Sequence, residues 1–289
     1  MALALKPTLK EQLNCVKEDF SFRNSEQLSL VIEAGIDGFS YLLIDPKNSE
    51  LLALQAYTFQ AMDNTGLLAN LKELESRLEL FRHGYKQVLV TWRDSLFTLV
   101  PNALFKSEQK DIFLKFNHIL SPEDQVMADE IRIADSRCVY SLSREVKLFF
   151  DKHFPNHKLK HFSTVHIEDS FSQPDRKGKR VVISIGQSLV NIAITDKGLN
   201  FYNSFSYQSS EDLLYFILLS MEQNQCDPVL SEVFICGEIE SGSGVHKILK
   251  QYIKQLHFLV SDKRIIRSEK FNTLPHHFYY HLVNRILCA

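Results

Sequence analysis

The chain has 289 residues, 45% of them apolar, and a formal charge of −2, which allows two globular cores and offers no basic field of the nucleic-acid-binding kind. The five cysteines, Cys15, Cys138, Cys226, Cys236 and Cys288, are scattered and form no C-x-x-C pair, which fits reduced thiols and excludes a disulfide framework or a cysteine zinc site. No run approaches the roughly 18 unbroken apolar residues of a membrane span, and Met1 to Lys6 lacks the apolar length of a signal peptide, so a cytoplasmic chain without membrane insertion is expected.

Residues 1–27 are polar and mixed and read as a lead-in strap. Residues 28–33 form a nearly continuous apolar run, the mark of a buried strand. Gly35 and Gly38 supply a turn. Residues 39–44 are a second strand closed by Asp45-Pro46, and residues 51–59 a third. Short and sequential, the three predict an antiparallel meander. Leu67, Leu68, Leu71, Leu74, Leu78 and Phe81 recur at three- and four-residue steps, which makes one apolar helical stripe, ended by Gly84. Strands follow at 88–92 and 96–100, a helix at 108–116, a strand at 138–142, a helix at 144–154 and a strand at 160–166. Residues 173–179 hold Pro, Gly and charge without an apolar residue. They are expected to link a lobe of residues 1–172 to a lobe of residues 180–289. The basic run from Arg176 to Arg180 reads as part of this solvated linker.

The second half begins again in the same way. Residues 181–185 are a strand, Gly186 and Ser188 a turn, 190–194 a strand, Asp196-Lys197-Gly198 a turn and 199–205 a third strand. Ser209, followed by Glu211 and Asp212, starts a helix that continues through Leu213, Phe216 and Ile217. A strand at 233–236 ends at Gly237. A helix at 245–256, a short strand at 258–260 and an aromatic-rich helix at 276–287 complete the chain.

The two halves share the order strand, glycine turn, strand, turn, strand, helix, strand. Val31-Ile32-Glu33-Ala34-Gly35 lines up with Val182-Ile183-Ser184-Ile185-Gly186. Ten residues beyond each glycine stand Asp45 and Asp196, and after each helix Val88-Leu89-Val90 matches Val233-Phe234-Ile235. The agreement predicts an internal duplication. A duplicated three-strand meander followed by α-β-α resembles the actin-like ATPase superfamily along most of the chain, as topology more than as motif. The resemblance implies an α/β fold of two ribonuclease-H-like lobes of β-β-β-α-β-α type, with a nucleotide cleft between them. The opening Glu18-Asp19-Phe20-Ser21-Phe22, with Leu28-Ser29-Leu30-Val31-Ile32 and Phe39-Ser40-Tyr41, is similar to a bacterial family, domain of unknown function 3822. That likeness implies an actin-like fold and carries no assigned activity.

In working members of the superfamily an Asp-x-Gly ends the first strand of each lobe. The glycine admits phosphate to backbone N–H groups, and the carboxylate holds Mg²⁺ through water. Here the first lobe has Glu33-Ala34-Gly35 and the second Ser184-Ile185-Gly186, with no carboxylate. Asp37 reads as a solvated turn residue. The third loop to check is Cys236-Gly237-Glu238 with Ser241-Gly242-Ser243-Gly244, placed where adenosine would bind; its plainer reading is a surface loop and a helix start. Glu33, Gly35, Ser184, Gly186 and Gly237 are therefore the candidate residues of a degenerate nucleotide site. His277 and His281 stand at a helical i, i+4 spacing without the glutamate of a metalloprotease motif and read as packing residues. Cys236 reads as a buried small residue.

These features predict a non-catalytic binding or scaffold protein, as in actin-like relatives of pilus assembly and secretion. No cofactor is expected beyond weak Mg-ATP. A protein partner is expected, with a homodimer left open. The alternative is an ATP-binding enzyme, an ATPase or small-molecule kinase. A ribonuclease-H-type nuclease ranks last, because only Glu33 and Asp45 could serve as its acids.

Overall fold

The structure, a computed structural model, describes residues 9–59, 61, 63–171 and 178–288. Alternating and continuous apolar runs place β2 (Ser29–Gly35), β3 (Gly38–Asp45) and β4 (Glu50–Thr58) side by side as an antiparallel meander. The expected strap also contains a strand, β1 (Lys10–Val16), which pairs antiparallel with β4 at the sheet edge. Only half its residues face the protein, so its pattern is faint. Helix α1 (Asn64–Arg77) is capped by Asp63, whose carboxylate accepts the Gly66 N–H at 2.8 Å. It stops at Leu78, well before Gly84, and a 3-10 turn (Glu79–Arg82) follows.

Strand β5 (Gln87–Arg93) runs parallel to β2. An insert then builds a separate three-stranded sheet from β6 (Phe97–Pro101), β7 (Asp124–Ile131) and β8 (Ser136–Ser143), with α2 (Lys110–Lys115) against it. β7 has no counterpart in the sequence reading, because Asp129 and Glu130 mask it. Helix α3 (Arg144–His153) leads to β9 (Lys158–His161), the outer strand of the six-stranded sheet, ordered β1-β4-β3-β2-β5-β9. The strand expected over 160–166 ends at His161. Phe162–Phe171 is helix α4, nearly all of it buried.

Residues 172–177, most of the expected linker, lie outside the described residues. Beyond them β10 (Arg180–Ile185), β11 (Leu189–Thr195) and β12 (Leu199–Ser206) repeat the meander. Helix α5 (Ser210–Gln223) starts on a capping box in which Ser209 and Asp212 satisfy each other's backbone N–H groups. Strand β13 (Glu232–Gly237), helix α6 (Gly244–Tyr252) and strand β14 (Gln255–Phe258) finish the second sheet, ordered β12-β11-β10-β13-β14. With β1 set aside, the two sheets have the same strand order.

The register of the repeat survives in space. Val31 pairs with Leu89, and Val182 with Phe234. Each sheet also lends its last helix to the other half. α4 packs on β11, and the terminal helix α8 (Tyr280–Asn284) packs on β2 and β3. α8 is shorter than the helix expected over 276–287, and a 3-10 turn (Arg285–Cys288) follows it. From Ile265 onward the chain, including α7 (Glu269–Asn272), covers the outer face of the first sheet. Phe271, Leu274, Leu282 and Val283 bury against Val31, Leu42, Ile44 and Leu89.

Candidate functional site

The parallel pairing of β2 with β5 sets Gly35 beside Arg93, and that of β10 with β13 sets Ile185 beside Gly237. These strand ends meet between the two sheets. Glu33, Arg93, Ser184, Gly186 and Gly237 line one small cavity there, and Glu33, Gly35 and Arg93 line a second with Asp37 and Glu238. The five residues singled out in sequence thus come together. The side chain at their centre, Arg93, was not among them.

Arg93 Nη2 lies 2.8 Å from Glu33 Oε1. The guanidinium also sits over the Phe162 ring, 4.0 Å from its centroid. On the second lobe it reaches Gly186, where an added Cβ would lie 2.7 Å from Arg93 Nη1. Burial pulls the Arg93 pKa down, but the carboxylates of Glu33, Asp37 and Glu238 more than reverse this, so the guanidinium stays charged. Burial pushes the Glu33 carboxyl up, and Arg93 only partly offsets it. Each cavity holds about 40 Å³, room for a few waters against the roughly 300–1,000 Å³ of a ligand pocket.

Three contacts tie the two sides of the cleft at its mouth. Ser188 Oγ donates to Asp37 at 2.9 Å, Gln12 Nε2 to Glu238 at 3.0 Å and Gln187 Nε2 to Gln12 at 3.1 Å. Asp37 is therefore a bridging residue, not a solvated turn aspartate. On the third loop Gly237 has φ +101°, and its N–H donates to the His277 carbonyl at 2.9 Å. His277 in turn donates from Nε2 to the Ile239 carbonyl at 2.8 Å, and its ring stacks on Phe258 at 3.9 Å. Mg-ATP does not fit this arrangement. The carboxylate that would face the metal is paired with a guanidinium, and the loop N–H is taken by the chain itself.

Below the cleft lies a buried relay. His281 Nδ1 is 2.5 Å from Asp169 Oδ2, and His281 Nε2 is 3.3 Å from Cys236 Sγ. Burial raises the Asp169 carboxyl to about 8 and lowers His281 to about 3. The pair is accordingly a neutral acid donating to a neutral imidazole, whose Nε2–H points at the sulfur. A second group, Cys138, His161 and Asp94, is equally closed. The Ser163 N–H donates to His161 Nδ1 at 3.1 Å, which leaves Nε2–H to donate to Asp94 at 3.0 Å. Burial raises both thiols, so neither offers an accessible thiolate. His277 and His281 are packed, as their surroundings in sequence suggest.

Arg93 carried a signal in the sequence. Extending the match of 88–90 with 233–235 by three residues aligns Arg93 with Glu238, beside the two glycine turns. The C-terminal contribution carried none, because it depends on where the chain goes after β14. Larger concavities lie elsewhere. One of about 630 Å³ runs between β7 and β9, with Lys158, Lys160, Glu168 and Arg285 on its walls, and one of about 660 Å³ lies beside α5 and α6.

A family model described as "Protein of unknown function (DUF3822)" matches residues 17–256. No curated protein matches the chain. Among solved structures, the chain is similar to a Bacteroides thetaiotaomicron protein with actin-like ATPase fold and unknown function, at 22% identity and a TM-score of 0.72 over 88% of this chain and 98% of that one. It is also similar to a structure of the PilM-PilN type IV pilus biogenesis complex, at 12% identity and a TM-score of 0.58 over 90% of this chain and 98% of that one. At these identities the likeness shows the fold, two ribonuclease-H-like lobes in the actin-like ATPase arrangement.

Proposed function

The chain belongs to the family of proteins of unknown function DUF3822, and on that premise we propose that it is a non-catalytic, protein-binding scaffold with a degenerate nucleotide site. Its lobes are residues 1–172 and 180–289, joined by 173–179, and its place is the cytoplasm. Among the described residues no helix is long and apolar enough to cross a membrane.

The observation that carries this reading is the Glu33–Arg93 pair, which fills the cleft where the two glycine turns converge. A buried charge pair is costly to open, and opening it is what a nucleotide would require. The likeness to PilM, whose solved structure is a complex with PilN, supports a protein partner for this chain also. The groove between β7 and β9, walled by two sheet edges, has the room that the cleft lacks.

The second reading is an ATP-binding enzyme. It rests on the convergence of Glu33, Gly35, Ser184, Gly186 and Gly237. Thermal melting of the purified chain with and without millimolar Mg-ATP separates the two. A ligand at a hundred times its Kd adds about 2.7 kcal/mol, a shift of several degrees. The scaffold reading expects no shift. A shift that disappears in Glu33→Ala would establish the second reading instead.

A further inference from the structure

We propose that strand β12 pairs with β12 of a second copy of this chain, antiparallel about a twofold axis, so that two five-stranded sheets become one. This inference is independent of how the cleft is read.

β12 ends its sheet, and among the described residues no strand lies beyond it. Its free edge has a defined set of donors and acceptors. The Tyr207 N–H donates to the Ser188 carbonyl at 3.2 Å, and the Ser204 N–H is taken by its neighbour Asn203 Oδ1 at 2.9 Å. The alternation of an antiparallel ladder then turns the N–H and C=O groups of Tyr202, Ser204 and Ser206 away from β11. The strand is also held in place. Phe205 stacks on Phe216 of α5 with centroids 4.6 Å apart, Tyr202 is buried on the other face, and Asn203 remains exposed.

The fold indicates what such an edge accepts. The counterpart of β12 in the first lobe is β4, and the chain covers that edge with an added antiparallel strand, β1. Composition selects the second copy as occupant. A twofold antiparallel pair sets a strand against its own reversed sequence, so a charge near the axis faces itself, which is unfavourable. Leu199-Asn-Phe-Tyr-Asn-Ser-Phe-Ser206 has eight residues, no charge and no proline; its register slips once, at Asn200, and from Phe201 onward it has none of the devices that keep exposed edges apart. The other edges have them. β1 carries Lys10 and Glu11, β9 carries Lys158 and Lys160, β7 carries Asp124, Asp129 and Glu130, and β6 ends in Pro101. β14 has only four residues and follows Lys254.

The test is light scattering on a sizing column across micromolar concentrations, with circular dichroism to confirm folding. The native chain should run at twice its chain mass. Ser204→Pro removes an outward N–H and no bond to β11. Asn203→Lys replaces an exposed side chain, gives up its bond to the Ser204 N–H and sets cation near cation. Each should raise the dimer Kd about tenfold or more, and backbone exchange at Tyr202, Ser204 and Ser206 should slow with concentration in the native chain alone. If Ser204→Pro fails to fold, Asn203→Lys decides. A native chain that stays monomeric overturns the proposal, as does a dimer that Asn203→Lys leaves unchanged.

Discussion

Arg93 Nη2 and Glu33 Oε1 stand 2.8 Å apart on neighbouring parallel strands, with the guanidinium reaching the Gly186 turn of the opposite lobe. One side chain therefore joins β2, β5, α4 and the second meander.

Removing one partner strands the other. Arg93→Met should destabilise the chain by about 2–4 kcal/mol, below the full value for a buried pair because both side chains keep some solvent contact. Adding Glu33→Gln should recover part of that loss. A double-mutant cycle by urea unfolding measures the coupling, and simple additivity would contradict the pairing.

Gly237 combines a positive φ with a close approach, since an added Cβ would lie 2.0 Å from the Ile185 carbonyl oxygen. Gly237→Ala should cost about 3 kcal/mol or more. Gly242 has φ +81° but no neighbour within 4 Å, so Gly242→Ala should cost only about 1 kcal/mol. Denaturant midpoints of the two variants check the contrast.

The Asp169–His281 pair gives stability a pH dependence. With its carboxyl raised to about 8, Asp169 contributes fully below the unfolded value of about 4 and loses that contribution as pH rises through about 8. His281, lowered to about 3, contributes fully above about 6.5 and loses it as pH falls through about 3. The slopes cancel between roughly pH 4 and 6.5 and leave a net fall from about pH 6.5 to 8, at most about 1.4 kcal/mol per pH unit. Urea melts at pH 6 and 8 should show the fall in the native chain and its absence in Asp169→Asn.

Phe271 is fully buried against the first sheet although it follows the second in sequence. Phe271→Ala should cost about 3–5 kcal/mol. Hydrogen exchange should quicken in β2, β3 and β4 and stay unchanged in β10 and β13. The reverse pattern would contradict the packing.

Much of this fold was legible residue by residue. Continuous apolar runs located β2 and β10, and the equivalence of Val31 with Val182 reappears in the strand register. Among the described residues, β1, β7 and α4 are the larger elements that stayed hidden. β1 shows the protein only one face, and β7 carries Asp129 and Glu130 among its pairing residues. In α4, Thr164 and Val165 are poor helix formers, and burial on nearly every side erases the stripe that marks a surface helix.

The sequence by itself determined the duplication, the meanders and the five residues that gather at the cleft, because strand alternation and glycine turns are properties of short stretches of backbone. Only the tertiary structure decided what occupies that cleft. The reach of the Arg93 guanidinium to Phe162 and Gly186, and the return of His277 to the Gly237 N–H, join residues far apart in the chain. Contacts of that range follow from how two lobes pack, and no local periodicity encodes them.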